Sequence, residues 1–229
     1  MFLAAVLVVT ALCTRSGQAC MPSNSDGSVT LGETTFVCLV RDNAAYALSK
    51  PRADRYSRLT YDQTYEENRD DCQEQLFHIE SMGVQSSFRK RYCTEADDGT
   101  LLFFPILTAI INVDENGVTD ISWDDGCYFT DGSVSESVQT CVANAYGFNT
   151  SSPIDSVPAP SQGSDTALTR EVCDSEPDGF CDLAVYVAWT GKDSNGNYFG
   201  SSGRRFSVFR DYDLQIQYDA MRLFLLNEK

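Results

Sequence analysis

Three short acidic segments carry the oxygen-bearing side chains from which a calcium site could be built. In the first, which runs from residue 174 to residue 182, such side chains stand at loop positions one, three, five and nine, and Gly179 stands at position six. Ca²⁺ takes several hard oxygen ligands, and alternate residues of a tight loop can point them inward. Position twelve, where a bidentate Glu is expected, is Val185. The predicted ligands of this candidate site are Asp174, Glu176, Asp178 and Asp182.

A disulfide would strengthen the first loop, and the other two segments match the calcium pattern less well. A bridge between Cys173 and Cys181 would close the loop and preorganise its oxygens. The second segment competes with a predicted hairpin, and the third has its Gly at the wrong position. Asp, Asn and Gly are also the ordinary residues of tight turns, which is the alternative for all three. The oxygen-bearing residues are Asn112, Asp114, Asn116 and Asp120 in the second segment and Asp193, Asn195 and Asn197 in the third.

The sequence contains no specific catalytic motif. It has no G-x-S-x-G, no H-E-x-x-H and no P-loop pattern. The one histidine, His78, lies between Phe77 and Ile79 and is expected to be a partly buried, hydrogen-bonded residue rather than a catalytic one. A glycosidase needs only two carboxylates at a fixed separation, and 33 acidic residues permit such a pair without identifying it. We therefore predict no catalytic residue, and calcium is the only candidate cofactor.

One dense basic cluster, Arg89-Lys90-Arg91, stands in this acidic chain. It could be a dibasic processing site or an anion contact. Short charge runs specify little, however, and most are solvated. We expect a solvated face that pairs with Glu95, Asp97 and Asp98.

The first residues have the pattern of a signal peptide. Phe2 to Leu12 is largely apolar, and Gly17-Gln18-Ala19 gives the small-x-small pattern of a cleavage site. The apolar run is too short to span a bilayer. We predict a signal peptide over residues 1–19. Its removal takes away Cys13 and Arg15, so the formal charge of −16 becomes −17 and nine cysteines become eight.

An even number of cysteines in a secreted chain indicates a disulfide framework. No pair has the C-x-x-C spacing of zinc sites or thioredoxin-like motifs, so we expect four bridges. Spacing does not fix the connectivity, and we favour the pairs that close short loops, Cys173 with Cys181 and Cys127 with Cys141. The eight cysteines are Cys20, Cys38, Cys72, Cys93, Cys127, Cys141, Cys173 and Cys181.

Charge and composition limit the partners and the location. A pI near 4.3 disfavours nucleic acids and anionic membranes, whose phosphates repel the chain, and leaves cations, basic proteins and mineral surfaces. Leu101 to Val113 is too short for a membrane span and contains Pro105. Asn149 begins the N-x-[ST] sequon beside the Pro/Ser-rich segment 149–166, which predicts an exposed glycan there.

Short segments of alternating polarity predict antiparallel strands, and the clearest is a hairpin over Ala109 to Trp123. A three-residue loop, Glu115-Asn116-Gly117, separates an apolar face from a mostly polar one and places Gly117 in a left-handed conformation. The predicted inward face carries Ala109, Ile111, Val113, Thr119, Ile121 and Trp123, and the other carries Ile110, Asn112, Asp114, Val118, Asp120 and Ser122.

Further elements follow from the same patterns. Leu183 to Thr190 is apolar on both faces, which predicts an inner strand that pairs with Arg205 to Phe209. Weaker strands are predicted over Thr35–Val40, Ala44–Leu48 and Ser137–Ala143. Helical spacing occurs at Cys72, Leu76, Ile79 and Met82, between Asp70-Asp71 and Gly83, and again at Leu214, Tyr218, Met221 and Leu225.

Together these features predict a mainly β protein, an antiparallel sandwich or barrel with one or two short helices and about four disulfides. We expect one secreted domain over residues 20–229, with the segment 149–166 as a loop or a domain boundary. The favoured function is that of a secreted, non-enzymatic extracellular matrix or interaction protein, with calcium dependence as an option. The alternatives are a β-barrel carrier of a small apolar ligand and a carboxylate-based secreted hydrolase. Oligomeric state is left open.

Overall fold

A computed structural model describes residues 27–41, 44–55, 57–73, 75–124, 139–148 and 164–203. Within these ranges the protein is mainly β and is built from three sheets and two short helices. The mainly β prediction is therefore confirmed. The sheets are not purely antiparallel, because the second one contains a parallel pair.

The first sheet has the strand order β2-β1-β4-β5, and β6 also pairs with β4. All its pairs are antiparallel. Its strands are β1 (Val37–Arg41), β2 (Ala44–Ser49), β4 (Leu76–Ser81), β5 (Val84–Gln85) and β6 (Lys90–Arg91). The predicted strands at Thr35–Val40 and Ala44–Leu48 are confirmed.

The second sheet has the order β10-β9-β13-β14, and β3 also pairs with β13. The run of apolar residues in β13 is buried on both faces, as predicted for an inner strand, and β13 pairs with β9 in parallel and with β3 in antiparallel orientation. The described chain continues from β13 through a turn into β14, which pairs with it. The predicted partner of β13, Arg205 to Phe209, lies outside the described residues. The strands are β3 (Ser57–Tyr61), β9 (Ile106–Asp114), β10 (Gly117–Trp123), β13 (Leu183–Lys192) and β14 (Tyr198–Phe199).

The third sheet has the order β11-β12-β8-β7, with antiparallel pairs throughout. Its strand β11 confirms the strand predicted over Ser137–Ala143. The strands are β7 (Cys93–Glu95), β8 (Leu101–Phe103), β11 (Gln139–Ala143) and β12 (Ser164–Thr169). The helices are α1 (Thr64–Asn68) and α2 (Arg170–Ser175), and a 3-10 turn covers Ser201–Gly203.

All three sheets contribute to one hydrophobic cluster. Trp189 of β13 is fully buried in it, together with Phe103 of β8, the following residue Phe104 and Ile111 of β9. Because these large side chains fill the space between the strands, the described chain has a packed interior.

The predicted hairpin is confirmed, but its turn is shorter than expected. Asp114 pairs directly with Gly117, so the loop has two residues, and the extra residue is Thr119, where the register shifts. Beyond this bulge the predicted pairs Ile111 with Ile121 and Ala109 with Trp123 are present. Ile111 and Ile121 are fully buried, and Trp123 is partly buried against the core.

The helix predicted over Cys72 to Met82 is wrong, because Leu76–Ser81 is the strand β4. All six residues of β4 are buried, and β1 and β6 flank it. Met82 and Gly83, with φ of 48° and 85°, then form the two-residue turn to β5. The carboxyl-terminal helix predicted at Leu214 to Leu225 lies outside the described residues.

Two complete disulfides are seen in the described chain, rather than four. Cys72 pairs with Cys93, and Cys173 pairs with Cys181, the local pairing expected. Cys38 and Cys141 are also disulfide-bonded. In the described ranges no helix is long and apolar enough to cross a membrane.

Candidate functional site

An open groove lies at one end of the second sheet, where the turn of the β9–β10 hairpin meets the turn between β13 and β14. Its volume is about 820 Å³. We call it the end groove. Its lining consists of Val113, Asp114, Glu115, Thr190, Gly191, Lys192, Asp193, Ser194, Asn195, Gly196, Tyr198 and Phe199.

Two close backbone contacts hold the strands that form the groove. Gly191, with φ of +108°, has no room for a side chain, because a Cβ there would overlap the carbonyl oxygen of Val113 on β9. Gly117, with φ of +123°, lies just as closely against the carbonyl of Gly27. Only glycine permits such an approach. Gly191 lines the groove itself, and Gly117 follows the β9–β10 turn beside it.

Asp193 organises the β13–β14 turn. The backbone N–H groups of Asn195 and Asn197 donate to its Oδ1 at 2.9 and 2.8 Å, and Leu31 N–H and the Asn197 side chain donate to Oδ2 at 3.1 and 3.0 Å. Desolvation acts to raise the pKa of Asp193, but the hydrogen bonds from Asn197, Leu31 and Asn195 outweigh it and lower that pKa. The third predicted calcium segment is therefore a turn built around one internally bonded carboxylate.

The strand β14 presents one aromatic ring to solvent and one to the core. Phe199 is buried beside Trp189, with ring centroids 6.2 Å apart. The alternate residue, Tyr198, is 76 % exposed, and the Lys192 ammonium stands 5.6 Å from its ring centroid. Tyrosine is enriched at protein interfaces relative to the rest of a protein's surface. The alternation of Tyr198 and Phe199 after a turn was the signal in the sequence that could have identified it.

The first calcium segment does not bring its carboxylates together. Asp174, on α2, faces Arg69 and Arg170 at 3.4 Å each and accepts a hydrogen bond of 2.7 Å from the Tyr65 hydroxyl. That hydrogen bond, together with the two arginines, lowers the pKa of Asp174. Burial, with the Asp174 contact, raises the pKa of Tyr65.

Asp182, the last predicted ligand of that segment, has a structural role. Its Oδ1 accepts hydrogen bonds from Tyr65 N–H at 3.0 Å and from the Thr64 hydroxyl at 3.4 Å, so it holds the start of α1. Glu176 is partly exposed and Asp178 exposed. No group of three or more His, Cys, Asp or Glu side chains in the described ranges is arranged to hold a metal ion.

The second calcium segment is the β9–β10 hairpin itself. Asp114 accepts the Asn116 N–H at 2.7 Å, and Asn112 donates to Asp120 across the strands at 3.2 Å. Its polar side chains therefore stabilise the turn and the strand pair.

His78 is buried on β4 rather than on a helix, and it is 2 % exposed. Its Nε2 lies 3.0 Å from Glu80 Oε1, and the Phe148 ring packs edge-on against it at 5.2 Å. Its Nδ1 makes no hydrogen bond within the described part of the chain. His78 is thus hydrogen-bonded as expected, but it is fully rather than partly buried, only one ring nitrogen has a partner among the described residues, and it lies on a strand.

The basic cluster is not the solvated face that was expected. Lys90 is 1 % exposed and pairs with Asp165 at 2.8 Å, not with Glu95, Asp97 or Asp98. The flanking arginines lie over aromatic rings, Arg89 over Phe148 and Arg91 over Tyr146. Pairing of β6 with β4, and of Arg89 with Tyr146, places the segment in a sheet, with Lys90 buried and both arginines partly exposed. The remaining predicted positions, Cys20, Cys127 and Asn149, lie outside the described residues.

Comparisons with known proteins give one family and no annotated relative. No curated protein matches the chain, and no solved structure matches it. One protein family, described as "Uncharacterised protein DDB_G0273449", matches residues 90–218. This range covers more than half of the sequence and begins at the buried Lys90. The chain belongs to this family.

Proposed function

We propose that the protein is a secreted, acidic, disulfide-stabilised extracellular interaction protein without catalytic activity, and that its end groove binds a basic segment of a partner protein. The observation that carries this proposal is Tyr198, a 76 % exposed ring beside a polar groove. Tyrosine is enriched at protein interfaces because it offers a large, stiff ring and a hydroxyl that can hydrogen-bond.

The charges of the groove favour a basic occupant. Asp114, Glu115 and Asp193 line it against the single cation Lys192. The whole chain has a formal net charge of −16, so its long-range field attracts cationic partners and repels anionic ones. The exposed Asp114 and Glu115 stand where they can meet lysine or arginine side chains.

Secretion is supported by the signal-peptide pattern and by the cysteines. Disulfides persist in oxidising compartments. The two complete bridges, together with the disulfide-bonded Cys38 and Cys141, support a framework of four in the secreted protein. We also propose a layered sandwich rather than a closed barrel, because each sheet of the described chain has a strand order with two ends.

The two alternative functions receive less support. A carrier of an apolar ligand needs an empty apolar interior, whereas Trp189, Phe103 and Phe104 fill the core here. A carboxylate-based hydrolase needs an acid that is available to the substrate, and the buried carboxylate of the groove, Asp193, is occupied by four internal hydrogen bonds.

Calorimetric titration with defined peptides tests the proposal. The probes are an oligo-arginine peptide and a neutral Gly/Ser peptide of equal length, each at two salt concentrations. We expect the basic peptide alone to bind, more weakly at high salt. Tyr198→Ala should weaken binding roughly tenfold or more, as for an interfacial tyrosine hot spot. Leu48→Ala is the control, because Leu48 is 52 % exposed and lies on β2.

An acidic protein also attracts polycations without specificity, so a charge-matched pair of variants is required. Asp114→Asn with Glu115→Gln removes two groove charges, and Glu95→Gln with Asp97→Asn removes two exposed charges elsewhere. Only the first pair should weaken binding beyond the general effect of the lost charge. Equal losses in both pairs, with no effect of Tyr198→Ala, would reject the groove as the site.

A further inference from the structure

The buried amine of Lys90 forms part of a polar cluster of three side chains that the proposed function does not use. Lys90 Nζ lies 2.8 Å from Asp165 Oδ2, and the two side chains are 2 % and 1 % exposed. Lysine is almost never fully buried unless it is paired. If the cluster contained only these two residues, a structural ion pair would explain it.

The third member, Asn144, changes the chemistry of the cluster. It is fully buried, and its Nδ2 donates to the same Asp165 Oδ2 at 3.0 Å. Its Oδ1 accepts the backbone N–H of Arg91 at 2.9 Å. One carboxylate oxygen thus contacts both an amine and a carboxamide nitrogen, and a fixed N–H donor polarises the carboxamide carbonyl.

These positions correspond to the parts of an acyl-transfer site. The Lys90 side chain becomes a nucleophile once it loses a proton, and the Asn144 carboxamide carbon is an electrophile. Arg91 N–H stands where charge would develop on Oδ1, as an oxyanion-hole donor does. Asp165 lies between nucleophile and leaving group, so that it can take a proton from one and give it to the other.

We propose that Lys90 and Asn144 become joined by an intramolecular isopeptide bond, with Asp165 as the proton carrier. First, one proton moves from the Lys90 ammonium to the Asp165 carboxylate, which leaves a neutral amine and a carboxylic acid. Nζ then attacks Asn144 Cγ and forms a tetrahedral centre, whose oxyanion Arg91 N–H stabilises. Asp165 gives its proton to Nδ2 and takes the second proton from Nζ.

The Cγ–Nδ2 bond breaks as the carbonyl re-forms. The products are a Lys90–Asn144 amide, one molecule of ammonia and a protonated Asp165, so atoms and charge balance. No external oxidant, metal or cofactor takes part.

The surrounding backbone holds the reacting groups in place. Arg89 and Tyr146 exchange two backbone hydrogen bonds of 2.8 and 2.9 Å, which align the segment of Lys90 with that of Asn144. Asp165 comes from β12, whose partner β11 ends at Ala143, just before Asn144. Reactants fixed in this way avoid much of the entropic cost of a bimolecular reaction. The bond would tie β6 of the first sheet to the end of β11 in the third.

Peptide mapping of the wild-type protein tests the proposal directly. The full chain is secreted, reduced, alkylated and digested, and its peptides are sequenced by tandem mass spectrometry. We expect a branched peptide that contains Lys90 and Asn144, with a mass below that of the two linear peptides by one ammonia. Lys90 should also fail to react with an amine reagent in the denatured protein.

Variants separate the chemistry from the fold. Asp165→Asn retains the shape and removes the proton carrier, so it should yield only linear peptides. Asp174→Asn, in a carboxylate remote from the cluster, should retain the branched peptide. Linear peptides with a reactive Lys90 in wild-type protein that carries its Cys72–Cys93 and Cys173–Cys181 bridges would overturn the proposal. So would loss of water through a Lys90–Asp165 bond, or loss of ammonia within a linear Asn144 peptide.

Discussion

Gly191 lines the end groove, and replacing it with alanine separates two physical effects that operate there. With φ of +108° the residue has a conformation that L-amino acids rarely adopt, and a Cβ would overlap the Val113 carbonyl oxygen and lie 2.9 Å from the Val113 carbonyl carbon. The conformational strain costs about 1–2 kcal/mol. The overlap forces β9 and β13 apart and costs about 1–3 kcal/mol more.

We therefore expect Gly191→Ala to lower the free energy of unfolding by about 2–5 kcal/mol. In a chain of this size that corresponds to a fall in Tm of about 4–20 °C. Thermal and urea unfolding followed by circular dichroism would measure both quantities. The end groove should deform as well, so the basic peptide should bind Gly191→Ala more weakly.

Two other glycines near the same turn serve as controls. Gly196 has φ of +83° and only an ordinary contact of 3.5 Å with Lys192, so Gly196→Ala should cost the strain alone, about 1–2 kcal/mol. Gly200 has open space around it and no positive φ, so Gly200→Ala should be neutral or stabilising by about 0.4–1 kcal/mol. If Gly191→Ala and Gly196→Ala cost the same, the close approach to Val113 does not determine stability.

Three more measurements test the remaining interpretations. Replacing both Cys173 and Cys181 with Ser should lower the free energy of unfolding by about 2–3 kcal/mol. Replacing both Cys72 and Cys93 with Ser should lower it by about 3–4 kcal/mol, because this pair closes the longer loop. The reverse order in urea unfolding would contradict this entropic account. Because the pKa of Asp193 is lower in the folded protein than in the unfolded chain, its ionised carboxylate stabilises the fold. This stabilisation is complete above the unfolded pKa of about 3.9 and is lost as the pH falls through the lower folded pKa. The urea midpoint should therefore fall less steeply with acid in Asp193→Asn than in the wild type, and parallel curves would argue against this role. From the internal contacts of Asp174 and Asp182 we expect Ca²⁺ and Mg²⁺ to shift the Tm equally at constant ionic strength; a calcium-specific rise that Asp178→Asn abolishes would instead support the predicted site.

Elements whose burial follows a simple pattern could be predicted from the sequence. The hairpin at Ala109–Trp123 has one apolar and one mostly polar face, and β13 is apolar on both, so period and composition identified each strand. The exact turn could not be predicted, because the bulge at Thr119 restores the same faces as a longer loop would. Face segregation alone does not distinguish these two registers.

The strand β4 could not be predicted because it is buried on both faces and yet carries polar residues. Phe77 and Ile79 enter the main core, while His78 and Glu80 lie on the opposite face and pair with each other. Polar and apolar residues therefore do not alternate clearly enough in this segment to predict a strand, and the spacing of Leu76 and Ile79 also fits a helix. Gly83 was correctly identified as the end of the element, but it belongs to a tight hairpin turn rather than to a helix end.

The basic cluster Arg89-Lys90-Arg91 shows why a candidate site could not be predicted from the local sequence. The partners of Lys90 and Arg91 are Asp165 and Asn144, which stand 75 and 53 positions away along the chain. Acids near in sequence, such as Glu95, are exposed instead. A local charge run therefore predicts solvation unless a distant strand supplies the opposite charge. Because burying a single charge without a partner costs several kcal/mol, Lys90 and Asp165 must enter the core together. Asp165 compensates the charge of the buried Lys90, and its carboxylate is also the proton acceptor that lies between the Lys90 amine and the Asn144 carboxamide.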